Sequence, residues 1–312
     1  MTLSRGAIGN LVNRYRAVLR KCRMMNVFGS LAVAGMLVAG NAGFAGAEEL
    51  SGDISPISLS GDTRNIIGVG DISLRSTEPA LRYLINVSGQ GQLDISMSNG
   101  SPMAVGNADG IYLKDYSDYD QYASAFHVAG SGSSGSFVGT GTFSMVGGGK
   151  LLGVCAFLSE SKGTLTLSGD ITGEAEAVMN GSNGYASFAA AAAGGNLVFG
   201  GDRTTLRAKA STGNNANGAF VKYGGMIDFA SKSVLIESKN TDSSSVGINC
   251  ADGTVKTSAD TDLDIVVEGN KATTGIQLTA SSSDVQLAGN LDLTATQTGQ
   301  DSFASVLGIS ND

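Results

Sequence analysis

His127 is the only histidine among the 312 residues, and it stands close to Ser131, Ser133, Ser134 and Ser136. A histidine beside a serine is the minimum for acyl transfer. That chemistry also needs the serine on a rigid elbow and the ring oriented by a third group. Here the serines lie in a Gly/Ser-rich stretch with no Gly-x-Ser-x-Gly. His127 is therefore read as a surface-loop histidine, and no catalytic residue is assigned. Asp115, Asp118 and Asp120 offer oxygen ligands, but their spacing completes no calcium loop. They are read as a solvated acidic loop, with no metal site and no cofactor implied.

The tyrosines Tyr112, Tyr116, Tyr119 and Tyr122 share that stretch and form the candidate interaction loop. Aromatics on a protruding loop suit contact with protein or glycan. Their spacing of three and four residues equally fits the apolar face of a short helix packed on the body. Both readings stay open. Asp228, Asp252, Asp260, Asp262 and Asp284 fall in turns with few basic neighbours, so no catalytic carboxylate pair can be named.

The elements that must position these residues are set by a repeat. Over residues 204–312, Leu206, Leu235, Asp264 and Asp292 recur at 29, 29 and 28 residues, each in a short apolar-alternating run. Gly218-Ala219-Phe220, Gly247-Ile248 and Gly275-Ile276 keep the same beat. So do Gly225-Met226-Ile227, Gly253-Thr254-Val255 and Asp284-Val285. A unit of about 28 residues thus carries three short strand-like runs divided by Gly, Asn, Ser and Asp turns. Such a unit cannot bury its apolar face alone, so copies must stack. The expected fold is all-β: a right-handed parallel β-helix with one repeat per coil. The residues after 47 make about nine coils, on the order of 45 Å long at about 4.8 Å per stacked strand.

Earlier fragments belong to the same pattern. Leu93-Asp94-Ile95 returns as Leu263-Asp264-Ile265 and Leu291-Asp292-Leu293. Between residues 112 and 149 the pattern breaks into an acidic-aromatic and then a Gly/Ser-rich stretch, read as a loop or hairpin leaving the coil. The alanine run 189–193 fits a short helix or a tightly packed strand equally well. Cys155 and Cys250 are 95 residues apart. That is some three coils, or roughly 14–16 Å along the axis, beyond the reach of a disulfide. Both are expected to be unpaired and buried. The last repeat stops at Asp312 before its third run and is read as uncapped and cut short.

Charge and the N-terminus place the chain. Residues 1–47 hold Arg5, Arg14, Arg16, Arg20, Lys21 and Arg23 and no acid, leaving 14 of the 20 basic residues against all 28 acidic ones in the body. An acidic body repels phosphate, so nucleic acid is excluded as a partner. A basic segment, an apolar run over residues 27–40 and the small-residue end Ala45-Gly46-Ala47 have the order of a secretory signal helix. Cleavage is expected after Ala47, with Ala45 as the second option. Residues 48–312 are then the mature body, and the export machinery is an implied partner. Cys22 precedes the apolar run, where a lipidation cysteine would follow it.

Asn13-Arg14-Tyr15-Arg16-Ala17-Val18-Leu19 resembles the extended signal-peptide region of autotransporters of type V secretion, without the Trp-Asn that usually follows. Val12 stands where that family's initiator Met would be, which suggests a start at that codon. The acidic Gly/Ser/Thr/Asn-rich body, its repeat and its few cysteines likewise resemble an autotransporter passenger domain. The resemblance implies passage through an outer-membrane β-barrel and display at the cell surface as an adhesin. The partner would be a host or bacterial surface protein or glycan. Neither the family's C-terminal barrel nor the Gly-Asp-Ser-Gly motif of its protease subset occurs in this sequence. Without a barrel the product would be periplasmic. The competing expectations are a secreted polysaccharide lyase or hydrolase on the same scaffold, and the non-functional product of a truncated gene.

Overall fold

The structure, a computed structural model, describes residues 47–78, 81–98, 100–107, 122–147, 153–178, 186–211, 215–299 and 303–309. The expected signal helix, the cleavage step at Ala45, and Tyr112, Asp115, Tyr116, Asp118, Tyr119 and Asp120 lie outside these residues. What is described is a β-solenoid with no helix. Its first strands are β1 (Glu48–Asp53), β2 (Ile57–Ser60), β3 (Thr63–Ser76) and β4 (Tyr83–Ser88). β5 (Gln92–Met97), β6 (Pro102–Asn107) and β7 (Tyr122–Ala129) form the next coil. They are followed by the pairs β8 (Ser134–Gly147) with β9 (Gly153–Glu160), β10 (Thr164–Ala177) with β11 (Ala186–Ala193), and β12 (Asn196–Ala210) with β13 (Asn215–Lys222). Three-strand coils complete the stack: β14 (Gly225–Phe229), β15 (Ser233–Asn240) and β16 (Ser245–Cys250), then β17 (Gly253–Thr257), β18 (Asp262–Gly269) and β19 (Ala272–Leu278). The last holds β20 (Ser283–Gln286), β21 (Asn290–Gln297) and β22 (Phe303–Ile309).

These strands stack as two parallel sheets. A nine-stranded sheet runs β2-β4-β7-β9-β11-β13-β16-β19-β22, one strand per coil. The thirteen-stranded sheet holds all the others and covers two sides, because its long strands bend midway and its short ones come in pairs. The bend is built on glycine. Gly139, Gly169 and Gly201 all sit at positive φ (136°, 119° and 93°). A side chain on Gly169 would place its Cβ 2.2 Å from the Gly139 carbonyl oxygen.

The core is a set of ladders running up the axis. Leu93, Gly135, Leu165, Leu197, Ile227, Val255 and Val285 are in register on the first side of the large sheet. Phe143 packs against Phe137 at 5.2 Å and Phe157 at 5.0 Å, and Phe157 in turn meets Phe199 at 5.6 Å. Each buried phenylalanine contributes about 1.5–3 kcal/mol of transfer free energy.

Three expectations change. The segment 122–147 does not leave the coil; it forms β7 and β8 and pairs with both neighbouring coils. Two of its glycines, Gly135 and Gly141, are seats for aromatic rings and not loop residues. A Cβ on Gly135 would lie 2.9 Å from the Phe126 ring, and one on Gly141 would lie 2.8 Å from both Phe137 and Phe143. Secondly, Leu206 stacks on Ile236 and not on Leu235, whose partner is Thr205. A one-residue slip swaps the faces, so the two fully buried residues, Leu206 and Ile236, set the register. Thirdly, Leu93-Asp94-Ile95 and Leu263-Asp264-Ile265 occupy different sides of the solenoid. Leu263 belongs to the ladder of Val234 and Leu291. The alanine run is strand β11, with Ala189, Ala190 and Ala192 in the core.

Candidate interaction face

The outer surface of the nine-stranded sheet carries a second hydrophobic layer. Tyr122, Cys155, Leu158, Phe188 and Ala191 form a buried cluster separate from the core, with Tyr83, Ala186 and Phe220 packed against it. It exists because β7, β9, β11 and β13 place apolar residues at outward positions. Asn86, His127, Leu158, Ala191, Phe220 and Asn249 form one outward ladder, and Cys155 is in register with Phe188. Phe188 and Phe220 stack at 4.7 Å, and Tyr122 meets Phe188 edge-on at 5.9 Å.

A polar network borders this layer. His127 is buried on β7, which corrects its reading as a surface-loop residue. Its ring stacks on Tyr83 with centroids 4.0 Å apart and an interplanar angle of 17°. Nδ1 lies 2.8 Å from Asn86 Oδ1, and Nε2 lies 3.0 Å from Glu160 Oε2. Both ring nitrogens are thus committed, and neither is free to activate a serine. Among the nearby serines, Ser133 is buried and accepts the Gln90 backbone N–H, while Ser136 donates to Asp94. Arg82 donates to the Tyr83 hydroxyl at 2.7 Å and to the Tyr122 carbonyl.

Burial pushes the Tyr83 phenol up to about 12, although Arg82 pulls the other way. It raises the Tyr122 phenol further and drives the Cys155 thiol well above its ordinary range. A thiol held protonated is a packing group, not a nucleophile. Cys155 and Cys250 are both free and buried, as expected. They are three strand steps apart, with Cys155 on the outer layer and Cys250 in the core.

At the end of β13 the Lys222 ammonium lies over three rings: Tyr223 at 4.5 Å, Tyr122 at 5.0 Å and Phe220 at 5.8 Å. Of the four candidate tyrosines, Tyr122 is the one described. It is 5 % exposed, so it serves the cluster from within and does not project from a loop.

The thirteen-stranded sheet presents a different surface. Arg207 bridges Glu174 and Glu237 in the coils on either side, and these carboxylates hold its guanidinium above its ordinary range. Lys232 pairs with Asp202, Lys239 with Glu268 and Lys256 with Asp228. Asp228 therefore sits on a strand with a basic partner, not in an unaccompanied turn. Asp262 accepts from Asn290, Asp252 from Ser282 and Asp284 from Gln286. Among the described residues no three His, Cys, Asp or Glu side chains converge in a way that could hold a metal ion.

Sequence reasoning missed the network around His127 because its partners are 33 to 44 positions away, outside the 28-residue beat. One signal was available. Ala125-Phe126-His127 and Ala156-Phe157-Leu158 repeat at a distance of 31 residues, and they are in register on β7 and β9. No family model, no curated protein and no solved structure matches this chain.

Proposed function

We propose that this chain is an exported, autotransporter-passenger-like solenoid that acts at the cell surface by adhesion and not by catalysis. The observation that carries this reading is the second hydrophobic layer on the outside of the nine-stranded sheet. Aromatic side chains there extend from a buried cluster to the exposed Tyr223, a composition suited to contact with another molecule. The basic, apolar and small-residue order of the first 47 residues supports export. The commitment of both His127 nitrogens supports binding over acyl-transfer chemistry.

The test is to express the full chain with an internal epitope tag, fractionate the cells and shave intact cells with protease. The expected result is a processed protein accessible from outside or released to the medium, with increased cell aggregation or attachment. A cytoplasmic protein, or an exported one that changes neither aggregation nor attachment, would overturn the proposal.

A further inference from the structure

His127 faces an oxygen acceptor at each ring nitrogen. The Asn86 side-chain carbonyl lies at Nδ1 and the Glu160 carboxylate at Nε2. A neutral imidazole carries one N–H and can donate to only one of them, whereas the imidazolium donates to both. Asn86 is on β4, His127 on β7 and Glu160 on β9, so the two bonds cross three neighbouring strands of the nine-stranded sheet. The arrangement recorded by the structure is therefore that of a ring with both nitrogens protonated.

The surroundings suit that charge. A buried charge is costly unless it is paired and hydrogen-bonded, and this one is both. The Tyr83 ring, stacked at 4.0 Å, offers the face to which cations are drawn. Among the described residues Glu160 has one ion pair, and it is with His127. Arg82 is spent on the Tyr83 hydroxyl and the Tyr122 carbonyl, and Lys222 lies over the rings of Tyr122, Phe220 and Tyr223.

We propose that His127 is a proton-operated clamp on the outer layer, tying β4 to β9 across β7 when its ring is charged and slackening when the proton leaves. The claim does not depend on adhesion being the function. The other titratable and charged groups on the packed strands are Arg82 and Tyr83 on β4, Tyr122 on β7, Cys155 on β9 and Lys222 on β13. Burial keeps the two phenols and the thiol protonated, and Arg82 and Lys222 keep their charge at neutral pH. Between about pH 5 and pH 8 the charge change thus belongs to the histidine.

Proton loss has a definite path. The neutral ring keeps Nε2–H on Glu160, and the Asn86 amide turns over to donate to Nδ1. The Asn86 Nδ2 now faces the exposed Ser58 hydroxyl at 3.5 Å; after the turn that hydroxyl donates to Oδ1 instead. Ser58, Asn86 and His127 are in register, so the change runs down one ladder to the surface. The Glu160 contact falls from an ion pair to a neutral donor on a carboxylate, a weaker bond. The clamp is accordingly closed on the acid side and lost as pH rises.

A single histidine makes the test direct. In the isotope-labelled full chain, nuclear magnetic resonance should show two ring N–H protons shielded from water at about pH 5, and one at about pH 8. Glu160→Gln keeps an acceptor at Nε2 and removes the charge. Relative to that variant, the folding constant of the natural chain in urea should drop about fivefold between the two pH values. One ring N–H at both pH values, or two at both, overturns the inference. So does an equal pH dependence of the natural chain and Glu160→Gln.

Discussion

The two outer surfaces of the solenoid use the same parallel ladder for different ends. On the thirteen-stranded sheet, outward positions carry charges that cancel from coil to coil, as in Glu174–Arg207–Glu237 and Lys256–Asp228. On the nine-stranded sheet, outward positions of β7, β9, β11 and β13 carry Tyr122, Cys155, Phe188 and Phe220. The first surface is complete in water. The second has a layer of its own, and the aromatic cation cluster at its border reaches the exposed Tyr223. Stacking alone satisfies the backbone of both, so what differs is only what the outward side chains do.

The largest expected effect comes from the second layer. Replacing the nearly buried Phe188 by alanine removes its stacks on Tyr122 and Phe220 and should cost about 3 kcal/mol. Equilibrium denaturation in urea measures it. A loss under about 1 kcal/mol would mean that the layer is decoration and that the two surfaces are alike.

Alkaline pH sharpens the comparison from another side. Cys155, Cys250 and Tyr122 all have folded-state values raised by burial, so the folded protein keeps protons that the unfolded chain releases. Their stabilisation is fully present below the unfolded values and falls as pH rises, first from about 8.5 for the thiols and then from about 10 for the phenol. Each such thiol should lower stability by up to about 1.4 kcal/mol per pH unit above that start. Denaturation midpoints should therefore fall between pH 8.5 and 10 in the natural chain. They should stay level over that window in the Cys155→Ala/Cys250→Ala double variant. An equal fall in both would remove the thiols from the account.

Much of this architecture was legible from the sequence, for a physical reason. Stacking forces a repeat, and inward alternation with turn residues shows on its surface. The three runs per unit, the in-step Gly218, Gly247 and Gly275, and the unpaired cysteines all follow from it. Misreadings came where inward positions hold no recognisable hydrophobe. In β8 the inward residues include Gly135 and Gly141, whose space is filled by rings from Phe126, Phe137 and Phe143. Glycine on a core ladder reads in sequence as a loop. His127 was misplaced for the same cause, since its strand follows residues that break the beat. The outer layer was not legible at all, because outward apolar residues on four strands become a cluster only when the coils are superposed.

The charged ladder gives the smallest effect and the strictest test. Arg207 touches two carboxylates across three coils, which on a count of contacts would rank it beside Phe188. Its side chain is 39 % exposed, and those of Glu174 and Glu237 are 42 % and 39 % exposed. Water screens such pairs, and fixing three long side chains offsets much of the attraction. The parallel ladder already holds the coils together beneath it. Arg207→Ala should therefore change stability by less than about 1 kcal/mol, with little further change when salt is raised. A loss of 2 kcal/mol or more, itself abolished by salt, would show that the charges lock the coils in register. The surface of the larger sheet would then be as structural as the aromatic one.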